Sequence, residues 1–176
     1  MKKLARFVWY GLIFLQKTIM VIGGCVIAVL IFVEVFLRYV LASPLFGIEE
    51  LILFIAMWMY FLGASFGAYE RTHIQAELIH LWFKDKKSYA RAKSVACVIT
   101  VFLSITMVKW SYPYFIWGIT RGAKSQALLL PMAISQSAVF VGSILMSIYF
   151  SAELIDYLLQ GMGKKPFFVR NSDKDN

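Results

Sequence analysis

Two charged residues stand inside otherwise apolar stretches and are the first candidates for chemistry. Glu34 interrupts the run Ile19–Leu37, and Lys109 interrupts Val95–Ile119. A charge at membrane depth costs about 2.5–3.5 kcal/mol on insertion scales, so each needs a reason to be there. Counted from the starts of their blocks at about 1.5 Å per residue, the two fall at similar depth. That spacing allows a Glu34–Lys109 ion pair between helices. The alternative is that Lys109 snorkels outward and Glu34 pairs with Arg38 one turn along. An isolated Glu34 could also carry protons.

Three further groups have chemical potential. Arg38-Tyr39 closes the first apolar block and Glu49-Glu50 opens the second. Carboxylates are favoured at a helix N-terminus by the macrodipole. The same residues allow Arg38 to clamp one glutamate, or one glutamate to reach a partner. His73, Glu77 and His80 share one face of a helix, beside an apolar stripe of Ile74, Leu78, Leu81 and Trp82. This suits an amphipathic helix on a membrane surface. Two histidines and a carboxylate fall short of a complete metal site, and neither histidine lies at the depth a haem ligand needs. Cys25 and Cys97 sit in apolar blocks without metal-type spacing and read as small buried hydrophobes. Signatures for a nucleophile elbow, a zinc protease, a phosphate loop or a dinucleotide fold are missing. No cofactor and no enzymatic activity are expected.

The elements that carry these residues follow from composition. The 176 residues are 60% hydrophobic and 16% charged, with mean hydropathy +0.71. Soluble domains hold about 45–50% apolar and about 25% charged residues. The excess suits a surface that faces lipid. Four blocks reach the roughly 20 apolar residues a crossing needs. The expected spans are 19–40, 50–68, 95–119 and 128–152, in a single membrane domain over 1–176. Pro131 fits the first turns of the fourth helix, where its missing N–H costs nothing. Pro113 can kink the third. Residues 1–17 form an interfacial helix or prolong the first span. The run from Ile19 is too long for the apolar core of a signal peptide, and the segment reads as retained.

Charge distribution sets an expected orientation. Of the 18 lysines and arginines, fourteen lie in the N-terminal segment, the loop after the second block and the C-terminal tail. By the positive-inside rule, both termini and that loop are cytoplasmic. Trp110, Tyr112, Tyr114 and Trp117 suit the outer headgroup layer. The net charge of +8 is spread between apolar blocks, which fits anionic membrane lipids rather than nucleic acid. Gly63 and Gly67 make a G-x-x-x-G ridge, and Ser143, Ser147 and Ser151 make a second small-residue ridge. Such ridges let helices approach closely, either inside this unit or against another membrane protein. Two of them on a chain lacking a reaction centre lean toward docking. The fold class is therefore an all-α integral membrane protein with four transmembrane helices and an amphipathic inner-surface segment between the second and third.

Several of these residues also occur together in a known order. Arg38-Tyr39 precedes Glu49-Glu50-Leu51, then Trp58, Phe61-Leu62-Gly63-Ala64, Arg71 and His73-Ile74. With this set the chain resembles the small membrane subunit of TRAP (tripartite ATP-independent periplasmic) transporters, the DctQ-like family. The likeness is strongest from Arg38 to Leu78. Members often have an aspartate where this chain has Glu77 and a basic residue where it has Gln75. The resemblance implies a bacterial inner-membrane scaffold that binds a large membrane subunit, which carries the sodium and substrate sites. It also implies a periplasmic binding protein that delivers organic acids such as C4-dicarboxylates, keto acids or sialic acids. A different class, a stand-alone proton-coupled exporter using Glu34, is also compatible with four helices. Such carriers are usually shorter and lack the long basic loop.

Overall fold

Lipid offers the backbone no hydrogen-bond partner, so a crossing segment must satisfy its own N–H and C=O groups. The computed structural model describes residues 2–43, 45–70 and 86–162. Within them lie four helices: α1 (Lys2–Tyr39), α2 (Ile48–Glu70), α3 (Lys86–Arg121) and α4 (Ala133–Gly161). Each contains a stretch long and apolar enough to cross a membrane. No strand is present among the described residues, only an isolated bridge between Lys124 and Pro131. Residues 2–17 prolong α1, which runs unbroken for 38 residues, about 57 Å at 1.5 Å per residue. Pro113 lies inside a continuous α3.

The helices form a row rather than a square bundle. The α1 backbone packs on α2, α2 on α4, and α4 on α3, while α1 and α3 do not approach. Side-chain contacts fix the register. Lys17 lies over Phe66, and Gly23 faces Met59, so α1 and α2 are antiparallel. Phe61 meets Gly142 and Tyr69 meets Tyr149, so α2 and α4 run the same way. Gly118 meets Gln136, and Tyr112 and Phe115 lie beside Phe140, so α3 opposes α4. The α1–α2 and α3–α4 connections therefore share one end, the loop end. The starts of α1 and α3 share the other, the terminal end.

The core is small and unusually polar. Fully buried side chains include Ser65, Ser143 and Asp156, while Phe14, Phe32, Phe102 and Trp110 are exposed. In water such an apolar surface would aggregate; in lipid it is the solvated face. The buried face of α3 carries Cys97, Ser104, Ser111 and Gly118 at intervals of seven. Small side chains at that repeat let α3 and α4 lie close, which is how helices associate where lipid removes the hydrophobic driving force. Cys97 follows its expected burial, but Cys25 is exposed on α1. An apolar block signals lipid contact as readily as burial in protein.

Candidate functional site

The two glutamates that open α2 take separate roles at the loop end. Gly47 precedes them with φ +97, a conformation that suits glycine. A Cβ there would lie 2.6 Å from Leu128, so the glycine also admits that leucine from the α3–α4 connection. Glu50 then accepts hydrogen bonds from the Ala127 N–H at 2.7 Å and the Leu128 N–H at 2.9 Å, one on each carboxylate oxygen. A carboxylate gripping two backbone donors of a neighbouring loop fixes that loop's position. Glu49 faces Arg38 at 3.9 Å, with both side chains well exposed. That contact is the weak, solvent-screened kind.

The α3–α4 connection is itself braced. Gly122 closes α3 with φ +59, as a left-handed cap does. Ser125 N–H donates to Leu130 O at 2.8 Å, Met132 N–H to Ala123 O at 2.8 Å, and Leu130 N–H to the Ser125 hydroxyl at 3.0 Å. These bonds tie Leu130 and Met132 back to Ala123 and Ser125, and α4 begins at Ala133 rather than around Leu128–Pro131. Pro131 is the bridge partner of Lys124 and not part of the helix. Trp58 Nε1–H reaches the Ile134 carbonyl at 3.1 Å and ties α2 to the first turn of α4.

Midway along, the backbones touch. A Cβ at Gly142 would lie 2.6 Å from Phe61 Cβ and 3.1 Å from the Phe61 carbonyl oxygen. A Cβ at Gly118 would overlap the Gln136 carboxamide oxygen, which has no hydrogen-bond partner. Gly63 faces Met20 of α1, the sulfur 3.6 Å from where a Cβ would be, so it packs inside the chain. Ser143 is buried and donates to Val139 O at 2.7 Å. Gly67 also has an interaction partner. A close approach between α2 and α4 is made at Gly142, which stands beside the serine ridge rather than on it.

Toward the terminal end, a buried polar chain crosses three helices. Gln16 Nε2 donates to the Ser65 hydroxyl at 3.0 Å, and the Tyr149 hydroxyl donates to Gln16 Oε1 at 3.0 Å. Trp9 meets Tyr149 and Tyr69 edge-on, with centroids 5.1 and 6.2 Å apart. Through these side chains α1 reaches α4, although the backbones stay apart. Glu153 and Asp156 are buried near the end of α4, and both have interaction partners. Sequence reading missed this cluster because Gln16 and Asp156 flank the apolar blocks and Tyr149 lies inside one as an ordinary aromatic residue. The available signal was the i, i+3 acidic pair Glu153 and Asp156 just beyond the last apolar block.

Glu34 and Lys109 are not brought together. Their helices occupy opposite edges of the row. They also differ in level. Val108 lines one groove with Ile144, Gly63 faces Met20, and Phe61 meets Gly142, so Lys109 stands level with about Met20. Glu34 is 14 residues further along α1, about 21 Å by helix rise. The apolar blocks gave a false common origin, because α3 starts well before its block and is shifted along α4. Arg71, His73, Glu77 and His80, and with them the amphipathic segment, lie outside the described residues.

Among the described residues no cluster of three or more histidine, cysteine or acidic side chains could hold a metal. A groove of about 440 Å³ between α3 and α4 is lined by Trp9, Ile105, Val108, Ile144 and other uncharged residues. The buried polar groups join helix to helix and do not converge on a chamber. Four crossing helices held together in this way make a multi-pass membrane protein. The sequence matches the family described as "Tripartite ATP-independent periplasmic transporters, DctQ component" over residues 27–159, and the chain belongs to that family. It is the small membrane subunit class of TRAP transporter, a transporter-subunit family rather than a catalytic one. No curated protein matches the sequence.

Proposed function

We propose that this chain is the fixed scaffold of a TRAP transporter in the bacterial inner membrane. It works with a large membrane subunit and a periplasmic binding protein, and the assembly imports organic acids down a sodium gradient. C4-dicarboxylates, keto acids and sialic acids are the substrate classes. Both termini are cytoplasmic, so the braced loop end faces the periplasm. Family membership supports the assignment. The observation that carries the scaffold role is where the polar groups go: Gln16, Ser65 and Tyr149 bind helices to one another, and Glu50 binds a loop. A carrier needs unwound backbone or converging charges to hold ion and substrate. Here the described helices run unbroken.

Co-expression tests the proposal. A tagged copy of this chain should co-purify a larger membrane subunit from native membranes. Vesicles containing both, with the binding protein outside, should take up the organic acid only with a sodium gradient. The chain alone should transport nothing. Uptake by the chain alone, or sodium-independent uptake by the complex, overturns the assignment.

A further inference from the structure

The small-residue face of α3 is buried against α4, and Lys109 lies on the opposite face. By helical spacing it shares a stripe with Val98, Phe102, Pro113 and Ile116, all exposed. Among the described helices only α4 packs on α3. Lys109 makes no ion pair or hydrogen bond with a described side chain. It stands level with the middle of α4, 12 residues from the end of α3, about 18 Å by helix rise, and this register also sets Trp110 well below the outer headgroup layer expected for it from residue type. The four-carbon stem of Lys109 covers only a fraction of that distance.

A second feature falls at the same spot. Pro113 comes four residues after Lys109 and has no N–H, so it withholds the i+4 hydrogen bond from the Lys109 carbonyl. One residue thus presents an ammonium donor and a released backbone acceptor to the surroundings of α3. Acyl chains supply neither an anion nor a donor. A second copy oriented the same way in the bilayer supplies no match either. Its Glu34 lies about 21 Å off this level and its Glu70, at the terminal end of α2, about 9 Å off, Glu49 and Glu50 open α2 at the loop end, and Glu153 and Asp156 are buried.

We infer that the Lys109 face of α3 docks a membrane helix of a different chain, one bearing a carboxylate at mid-depth, and that this chain is the large transporter subunit. The inference rests on the scaffold reading above. Charge complementarity selects the partner helix, and the exposed stripe from Val98 to Ile116 supplies its apolar contact. An intramembrane charge on an outer helix face is placed where a partner will cover it.

The test is co-purification of the large subunit with tagged full-length variants expressed beside it. Wild type and Lys109→Arg should retain the partner, and Glu34→Gln, on the opposite edge of the row, should also retain it. Lys109→Ala and Lys109→Glu should lower the co-purified partner at least tenfold while inserting at wild-type levels. Equal recovery with Lys109→Glu overturns the inference. Should Lys109→Glu fail to insert, photo-crosslinking residues at Phe102 and Ile116 in the otherwise natural chain decide. Adducts with the large subunit support the docking face, and adducts with lipid alone overturn it. If wild type itself captures no large subunit, the scaffold reading fails, an outcome distinct from loss in the Lys109 variants only.

Discussion

Gly142→Ala is the sharpest test of the helix row. The added methyl would stand 2.6 Å from Phe61 Cβ and 3.1 and 3.2 Å from the Phe61 carbonyl atoms. Carbon atoms pack at about 3.5–4.0 Å, so α2 and α4 must part by about 1 Å at this crossing. The obstruction is partly backbone, which cannot swing aside as a side-chain tip can. A radial gap of that size forfeits a quarter to a half of the dispersion attraction along the seam. Leu62, Ser65, Ala138 and Tyr149 are buried nearby and would loosen with it. Overpacking of this kind costs about 1–3 kcal/mol. For a chain of this size that corresponds to a fall in melting temperature of roughly 2–4 °C per kcal/mol. Buried Cys97 provides the readout in a Cys25→Ala background, since its thiol becomes reactive only on unfolding. Gly11→Ala is the control, because a Cβ there meets nothing within 4 Å. Alanine at that helical site should hold or raise stability, by up to about 1 kcal/mol. If Gly142→Ala melts with the wild type while the control behaves as stated, α2 and α4 do not meet through Phe61 and Gly142.

The other predictions concern the two ends. Tyr149→Phe removes one hydrogen bond of the Gln16 chain and should cost about 0.6 kcal/mol, with about 1.7 as the upper bound. In a double-mutant cycle, Gln16→Leu and Tyr149→Phe should be non-additive in thermal unfolding, and strict additivity would separate them. Glu50→Ala frees the Ala127 and Leu128 N–H groups and should speed proteolysis within the α3–α4 connection several-fold. Glu49→Ala loses only the exposed Arg38 contact and should be cleaved at the wild-type rate. Matching rates for the two glutamate variants would refute the division of roles. Reporter fusions at both termini should report the cytoplasm, and a reporter inserted after Ser43 the periplasm.

What the sequence determined alone follows from the solvent. Lipid sets the length and continuity of a crossing segment, so four apolar runs were enough to specify four helices. The glutamates at the start of α2 were legible because a helix N-terminus favours carboxylates wherever the helix later packs. Tertiary structure decided everything that depends on rotation and neighbours. Glu34 and Lys109 looked like partners on a common scale of depth, yet they sit on opposite edges of the row and about 21 Å apart along it. Gly63 was visible as part of a motif, while Gly142 belonged to no motif and still makes the closer contact. Gln16 and Tyr149 are 133 residues apart and share a hydrogen bond that no local pattern announces. In a helix every residue has a face, and only packing decides whether that face meets lipid, a sister helix or another chain.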